Sequence, residues 1–367
     1  RSSFPAMGTR IDIIGWGGNG MAIVNAVVGV VARREDMWSV FRPSSEVSRL
    51  NDVVASTGGG GASRCGADSA QAGHGLVVSE ETDRLLRDAL ALAEATGGVF
   101  NPLIGPLVAA WDVKAMRAAY VAGAPLPPAP AADAVEAALC ASSWSLLSRV
   151  GERRWVMGVP GESAGGVDAP SPGLDLGGIA KGYTADACRD LAVAMGARGV
   201  LVSVGTSSVS VFGTRADGSS WRAGLRDPQG GPTSVAGVVE LPVGGMASLS
   251  TSGDNLGPLG VLAPEVVVRA AGSASDHHAR ETSRETAAGD GRVFDHHIID
   301  PRTGYPANAG VRQVSVVASS GVLAEALSTA LLVDPSIDVP DVVVRWSRET
   351  GAPASARVVS LVRAAQG

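Results

Sequence analysis

The sequence has very few lysines and few cysteines. Only Lys114 and Lys181 are lysines, so a lysine that stands in a glycine-rich motif is a candidate for a specific role. Three cysteines, an odd number in a chain of 367 residues, do not suggest a disulfide framework. We expect Cys65, Cys140 and Cys188 to be reduced and mostly buried thiols.

An excess of positive charge is also missing. The 30 basic residues are outnumbered by 36 acidic ones, which gives a net charge of -6 and argues against non-specific binding of nucleic acid or anionic membranes. The longest apolar run near the start, residues 21–32, contains Asn25 and is too short to span a bilayer. No secretion-signal pattern opens the chain. The sequence favours a cytoplasmic location, with an exported lipoprotein as the alternative should a signal precede Arg1.

The composition is that of a globular protein with a large core. Apolar residues make up 45% and charged residues 18% of the chain, and at ~150 residues per domain its length corresponds to about two domains. Strands and helices are mixed without a regular βαβ rhythm, which favours an α+β fold. Helices are predicted at residues 21–37, 45–50, 79–96, 183–195 and 321–332. Strands are predicted at residues 11–14, 200–204, 209–212, 221–225, 235–241, 297–299 and 314–318, with a hairpin in 144–159 and a β-rich pair near 342–346 and 356–362.

A glycine-rich segment precedes one of the predicted helices. Residues 175–182 read Asp-Leu-Gly-Gly-Ile-Ala-Lys-Gly. Glycines let the backbone approach a ligand closely, a helix N-terminus is positive, and Lys181 adds a cation, so the segment has the parts of an anion site. The Walker spacing is absent. A phosphate site and an ordinary glycine-rich turn that caps a helix are both consistent with this pattern.

A second candidate lies at residues 296–304, which read His-His-Ile-Ile-Asp-Pro-Arg-Thr-Gly. A histidine can act as a base near neutral pH, and an arginine can bind phosphate. The alternative is a structural turn in which Asp300 hydrogen-bonds to its own backbone.

A third candidate is the pair Glu325 and Thr329, four residues apart in a predicted helix that is otherwise rich in Ala and Leu. This spacing puts both side chains on one face of the helix. A carboxylate and a hydroxyl are hard oxygen ligands that suit Mg²⁺. A solvent-facing glutamate beside a threonine that bonds back to the helix is the structural alternative.

Two turns have exposed polar groups that could hold a nucleotide, although each also fits a plain surface turn. One is residues 226–228, which begins with Arg226, and the other is residues 250–254. His277 and His278 stand in a polar loop without cysteines or suitably spaced carboxylates, which argues against a metal site there.

Eight segments taken in order resemble the ApbE family, the FAD:protein FMN transferases. They are residues 4–9, 41–51, 98–111, 175–186, 221–228, 251–254, 297–304 and 323–331. The resemblance covers essentially the whole chain. It implies an α+β, ApbE-like fold of mixed sheets and helices, a single unit over residues 1–367, with a ligand cleft between an N-terminal lobe, 1–170, and a C-terminal lobe, 171–367.

The same resemblance implies a reaction. Mg²⁺ would bind at the pyrophosphate of FAD, a Ser or Thr hydroxyl of a target flavoprotein would attack the FMN-side phosphorus, and AMP would leave. In the family the metal ligands correspond to the Ala180 carbonyl, Glu325 and Thr329, and the candidate base is His297 or Asp300. The residues implied to hold phosphate are Lys181 and Arg226, and those implied to line the flavin and adenosine sites are Met7, Glu46, Phe100, Asp175, Thr251, Ser252 and Gly253.

The chain departs from the family pattern at several of these places. The acid of the late helix is usually Asp but is Glu325 here, and an Asp beside the cleft is replaced by Asn101. A glycine loop reads Ser-Val-Gly-Thr-Ser at residues 203–207, an aromatic is replaced by Asn255, and the loop around 257–293 is longer than usual. These departures leave two alternatives open: hydrolysis of FAD to FMN and AMP, and a diverged member that binds flavin or another nucleotide without transferring it.

Overall fold

The computed structural model describes residues 1–58, 75–122, 124–158, 170–228, 234–242, 245–253 and 297–363. The helices in this part of the chain are α1 Gly20–Trp38, α2 Glu46–Gly58, α3 Glu80–Ala95, α4 Gly105–Ala110, α5 Val113–Ala122, α6 Ala132–Ala141, α7 Ala180–Ala194, α8 Gly321–Val333 and α9 Val339–Thr350. The strands are β1 Ser2–Ala6, β2 Thr9–Trp16, β3 Leu76–Val77, β4 Leu147–Gly151, β5 Arg154–Met157, β6 Gly199–Val204, β7 Ser208–Gly213, β8 Arg222–Arg226, β9 Val235–Glu240, β10 Met246–Gly253, β11 Val311–Ala318 and β12 Ala356–Arg363. The predicted α+β class is confirmed.

A seven-stranded sheet forms the centre of the fold. Its order is β1-β2-β6-β7-β10-β11-β12, and the neighbours pair antiparallel throughout. The first two strands of the chain therefore lie in one sheet with strands from its second half. The division into lobes 1–170 and 171–367 stays a prediction.

Both faces of this sheet are covered. On one face an apolar cluster joins α1 and α7 to β2 and β6, with Val27, Ile11 and Val202 fully buried. On the other face the β8–β9 hairpin packs against the sheet through Trp221 and Leu225. The sheet therefore supports the elements that pack on it. Polar groups stand at the ends of its strands and at the starts of the helices that cover it.

The β3-β5-β4 sheet is tied to α3 by one buried carboxylate. Asp83 accepts hydrogen bonds from Arg149 Nε at 2.7 Å and from the indole Nε1 of Trp155 at 2.9 Å. Burial alone would raise the pKa of Asp83, but the bonds from Arg149 and Trp155 outweigh it and hold that pKa below its usual value. The predicted hairpin in residues 144–159 is confirmed as β4 and β5.

The prediction of a strand near residues 342–346 is wrong, because this segment lies in α9. Three consecutive valines favour a strand by propensity, but helix signals flank them. Asp338 caps the helix by accepting the Asp341 N–H at 3.2 Å, and Gly351 ends it with φ +69°. The helix buries Val342 and Trp346, which are four residues apart and therefore share a face.

Three further predictions concern short segments. The helix predicted at residues 45–50 is confirmed as the start of α2, where the Ser45 hydroxyl accepts the Ser48 N–H at 2.9 Å. The strand expected at residues 297–299 is reduced to an isolated bridge between Ile299 and Pro306. The turn predicted at residues 250–254 is wrong for 250–253, because these residues continue β10, whose backbone pairs with β7 and β11. Elements that the pattern did not predict at all are β1, β3, α4 and α5.

Within the described ranges, no helix has both the length and the apolar character needed to cross a bilayer. Cys140 and Cys188 are free thiols, and burial raises the pKa of Cys188 to about 12. Cys65 lies outside the described residues.

Asp88 on α3 makes the stability of the fold depend on pH. Burial raises its pKa from 3.8 to about 6, against the opposing effect of Arg87 and Arg84. Burial of Asp88 therefore costs the fold no stability below the pKa of the unfolded state, where the carboxyl is protonated in both states. The full cost of burying its charge is present above about pH 6. We expect Asp88→Asn to raise the free energy of unfolding by about 1–3 kcal/mol near pH 7.5 and to have no stabilising effect near pH 4.

Urea unfolding followed by circular dichroism at both pH values checks this expectation. Glu94→Gln removes an exposed carboxylate from the same helix and is the control. A gain that is equal at both pH values would contradict the assignment to Asp88 ionisation.

Candidate active site

The glycine-rich segment forms a turn that leads directly into α7. Asp175 closes the turn, because its Oδ1 accepts the Gly177 N–H at 2.8 Å while its own N–H donates to Pro102 O at 2.9 Å. Gly177 and Gly178 are exposed. No side chain of its own caps the helix, since the N-cap residue is Ile179. The positive end of α7 therefore lies beside an open, flat backbone, as an anion site requires.

Lys181 adds a cation at this helix start. Its Nζ donates to Gly177 O at 2.8 Å and lies 3.8 Å from Oε1 of Glu325. The side chain is 25% exposed, so the ammonium group is held by the protein but stays accessible to a ligand.

The start of α7 is in contact with the start of α8 through two glycines. A Cβ atom on Gly182 would lie 2.4 Å from Gly321 O, and one on Gly321 would lie 2.3 Å from Gly182 O. Both distances are far below van der Waals contact, so only glycine fits at either position.

The start of each of these helices also donates a backbone hydrogen bond to a carboxylate of the other helix. Glu325 of α8 accepts the Gly182 N–H of α7 at 2.6 Å, and Asp186 of α7 accepts the Gly321 N–H of α8 at 2.6 Å. In both helices the carboxylate stands four residues after the glycine, which brings the two onto the same face. Two positive helix ends that would repel each other are thus held together by two negative charges.

Buried hydroxyls line the sheet beneath these two helices. Four serines of β7 and β10 are at most 2% exposed: Ser208, Ser210, Ser248 and Ser250. Ser208 donates to Oε1 of Glu325, and Ser210 and Ser248 each donate to Oδ1 of Asp186 at 2.5 Å. We call these four residues the serine seam. It supplies the donors that a buried carboxylate needs.

The end of β10 continues this polar surface. The Ser252 hydroxyl lies 2.8 Å from that of Ser328 and 3.1 Å from that of Thr329, and the Thr251 hydroxyl lies 2.9 Å from that of Ser315. Gly253 follows, and a Cβ there would lie 3.3 Å from Arg312 O. The structure thus brings together those predicted site residues that lie on α7, α8 and β10.

The three predicted metal donors come from these two helices. Glu325 is 4% exposed, and each of its oxygens accepts one protein hydrogen bond, which leaves each a further lone pair. Ala180 O accepts the Thr184 hydroxyl at 2.7 Å, and Thr329 is half-buried one turn after Glu325. The described residues contain no group of three His, Cys, Asp or Glu side chains suited to a metal. A carboxylate, a carbonyl and a hydroxyl nevertheless form an all-oxygen set, which fits Mg²⁺.

Arg226 is the last residue of β8. Its Nε is buried without a hydrogen-bond partner, while its carbonyl accepts from Gln313 Nε2 at 2.9 Å. An unpaired buried donor is unfavourable, so this position favours an anionic ligand.

The segment 297–304 forms a turn held by its own charges. Asp300 accepts hydrogen bonds from Arg302 at both oxygens, with Nε at 3.0 Å and the terminal nitrogen at 2.9 Å. Arg302 also donates to Asp334 at 2.6 Å, just after the end of α8. The bonds with Asp300 and Asp334 raise the pKa of Arg302 above its usual value. His297, half-buried with its Nδ1 covered, opens the described part of this segment.

The remaining predicted residues bond to other parts of the fold. The Met7 N–H donates to Glu35 at 3.3 Å in the β1–β2 turn, and Glu46 accepts both the N–H and the hydroxyl of Ser79 at 2.8 Å. Phe100 is 5% exposed, and a Cβ on Gly178 would lie 3.5 Å from its ring. Phe100 therefore supports the glycine-rich turn from below.

Known proteins were compared with the chain as a whole. A sequence profile of the ApbE family matches residues 7–256 and 274–351. The chain belongs to the ApbE family. The FAD:protein FMN transferase of Treponema pallidum is 30% identical over 323 residues, which are 85% of this chain and 71% of that relative. The FAD:protein FMN transferase of Rhodobacter capsulatus is 30% identical over 308 residues, but the match covers only 46% of that longer protein.

Solved structures agree on the fold. The ApbE protein of Thermotoga maritima superposes with a TM-score of 0.63 at 24% identity, covering 99% of this chain and 96% of that one. The flavin transferase ApbE from Vibrio cholerae gives a TM-score of 0.62 at 21% identity with the same coverage. The predicted ApbE-like fold is thereby confirmed.

One of the departures from the family pattern has a structural reason. The Asn101 amide donates to Ser142 O at 2.6 Å while its oxygen accepts the Leu103 N–H at 2.8 Å. An aspartate could not make the first bond. In the 203–207 turn, Gly205 keeps the left-handed conformation that glycine favours, with φ +68°. Asp254, Asn255, His277, His278 and the 257–293 loop lie outside the described residues.

Sequence reasoning missed two groups that this ApbE chain uses at the site, Asp186 and the serine seam. The alternation of serine along residues 208–210 and 248–250 was a usable signal, because a period of two puts these side chains on one face of a strand. Nothing in the sequence indicated that Asp186 would bond across to another helix.

The glycine contact between α7 and α8 yields a direct prediction. We expect Gly321→Ala to lower the free energy of unfolding by about 1–3 kcal/mol, because the new methyl group would overlap the backbone of Gly182. Gly29→Ala on α1 is the matched control, since a Cβ there meets only the end of the Arg33 side chain at 3.7 Å. The control is expected to gain about 0.5–1 kcal/mol from helix propensity. Thermal or urea unfolding of both variants checks this, and equal effects would refute the close contact.

Proposed function

We propose that this chain is an FAD:protein FMN transferase that moves FMN from FAD to a Ser or Thr hydroxyl of a target flavoprotein. Membership of the ApbE family and the names of the relatives support this. The observation that carries the proposal is the start of α7, where Lys181, an uncapped helix end and the oxygen donors of α8 lie together. These groups have the charges that a pyrophosphate with a bound cation needs.

In the proposed reaction the hydroxyl oxygen of the acceptor attacks the FMN-side phosphorus of FAD. A new P–O bond forms, the bond between that phosphorus and the bridging oxygen breaks, and AMP leaves with the bridging oxygen. The hydroxyl proton passes to a base. His297 is the better candidate, because an imidazole titrates near neutral pH, whereas both oxygens of Asp300 already accept from Arg302.

The other residues bind and orient the phosphates. Lys181 and the exposed backbone of Gly177 and Gly178 would hold one phosphate at the positive end of α7, and Arg226 would pair with another. Ala180, Glu325 and Thr329 would hold Mg²⁺, which when bound neutralises charge on the pyrophosphate. Thr251, Ser252 and Gly253 lie at the edge of this group on β10 and would line the nucleotide.

The test is incubation of the purified chain with FAD and Mg²⁺, with and without an acceptor domain that carries an exposed Thr, followed by mass spectrometry. We expect AMP together with an acceptor whose mass has grown by one FMN group. AMP and free FMN alone would favour hydrolysis of FAD. Intact FAD that is nevertheless bound would favour a diverged member that has lost the chemistry.

Glu325→Gln serves as the inactive control in this assay. An amide can still accept the Gly182 N–H and can donate to the Ser208 hydroxyl, so the helix contact is kept while the negative charge is removed. Transfer by this variant at the wild-type rate over a range of Mg²⁺ concentrations would exclude Glu325 as a metal ligand.

Arg226 can be tested by binding alone. We expect Arg226→Gln to raise the dissociation constant for FAD about 10- to 100-fold, as the loss of a charged hydrogen bond predicts. Arg222→Gln on the same strand removes an exposed arginine that pairs with Glu240 and should leave binding unchanged. Fluorescence titration measures both, and an unaltered constant in Arg226→Gln would remove this residue from the site.

A further inference from the structure

Asp186 belongs to none of the predicted ligand sets, yet it is the residue through which α7 holds α8. Its Oδ2 accepts the first N–H of α8, from Gly321, at 2.6 Å. Its Oδ1 accepts from Ser210 and Ser248 at 2.5 Å and from Arg189 at 3.1 Å. Four donors on one carboxylate fix its position and the position of the helix end that it binds.

The proposed metal donors are divided between these two helices. Ala180 belongs to α7, whereas Glu325 and Thr329 belong to α8. The distance between the carbonyl and the other two donors is therefore set by how α8 sits against α7. Mg²⁺ demands a nearly ideal octahedron, so it tolerates little change in that distance.

We propose that Asp186 is a positioning residue of the reaction, which sets the separation of α7 and α8 and so holds the metal donors in register. This role rests on the proposed function, because it concerns the Mg²⁺ that the transfer would use. Glu325 makes the reciprocal bond to Gly182, but it is itself a proposed ligand. Asp186 joins the same two helices and is not among the proposed ligands of Mg²⁺ or FAD.

The chemistry of Asp186 makes Asn a suitable probe. Arg189 and the Gly321 N–H can only donate, and they face opposite oxygens of the carboxylate. In either orientation, an Asn amide would direct its NH₂ group at one of these donors. Asp186→Asn therefore loses either the bond to Gly321 or the bond from Arg189, and in both cases the negative charge between the two helix starts, while the side chain keeps its size.

Two matched controls separate positioning from stability. Asp190→Asn removes the other carboxylate of Arg189, which accepts from its Nε at 2.8 Å and makes no bond to α8. Ser320→Ala removes the hydroxyl that caps α8 by accepting the Leu323 N–H at 3.4 Å, without changing the contact with α7. Each control variant loses one interaction close to Asp186 or Gly321 and leaves the bond between these two residues in place.

The experiment measures the half-saturating Mg²⁺ concentration of all four proteins in two ways: by the rate of FMN transfer, and by FAD fluorescence as Mg²⁺ is added. For Asp186→Asn we expect this concentration to rise about 10- to 100-fold in both readouts, as for the loss of a partner that orients a metal ligand. The KM for FAD at saturating Mg²⁺ should change less than about threefold. Both controls should match the wild type.

An Asp186→Asn protein whose Mg²⁺ dependence equals that of Asp190→Asn would overturn the positioning role while the proposed function stands. Should Asp186→Asn fail to fold by circular dichroism, Ser210→Ala with Ser248→Ala removes two of its four donors. That milder variant is expected to move the Mg²⁺ dependence by about 2- to 10-fold in the same direction, and no movement would refute the role. A wild type that binds FAD but transfers nothing would overturn the proposed function and this role with it.

Discussion

The structure around the candidate site depends on two carboxylates, each of which belongs to one helix and accepts a hydrogen bond from the start of the other helix. The positive ends of α7 and α8 meet at Gly182 and Gly321, where like partial charges would repel. Asp186 and Glu325 each cross to the other helix and accept one of its first N–H groups. The two backbones can approach this closely only because these two negative charges offset the repulsion between the positive helix ends.

The central sheet and the turn before α7 support the contact between the two helix starts. The seven-stranded sheet lies beneath the two helices, and serines of its strands β7 and β10 hydrogen-bond to their carboxylates. The turn before α7 is closed by Asp175 and supported by Phe100, so its glycines stay open to a ligand. The groups that the proposed transfer would use are therefore held by rigid elements on three sides, as a preorganised site requires.

Much of this could be predicted from sequence, and the failures have physical reasons. Local patterns predicted the helix after the glycine-rich turn and five strands of the central sheet, β2, β6, β7, β11 and β12, because each depends on neighbours in the chain, but they missed β1 and β10. The valines of α9 misled the prediction, since propensity is weaker than the cap at Asp338 and the stop at Gly351. The bond from Asp186 to Gly321 joins residues 135 positions apart, and a single sequence holds no record of such a partner. Local pattern made Lys181 a candidate for phosphate and Glu325 with Thr329 candidates for Mg²⁺, whereas the roles of Ala180 and of the residues implied to line the flavin came from family resemblance alone.

The serine seam has a consequence for how the protein assembles. Apolar surfaces gain stability in proportion to the area that they bury, so a partly docked helix on an oily sheet is still stabilised. Hydroxyls and carboxylates gain fully only when every donor meets its acceptor, and a half-docked helix would leave the buried Glu325 and the half-buried Asp186 without some of their donors. The polar contribution to docking α7 and α8 on this sheet is therefore gained only when both carboxylates meet their donors. If only one of the two helices were in place, its carboxylate would lack the N–H that the other helix supplies.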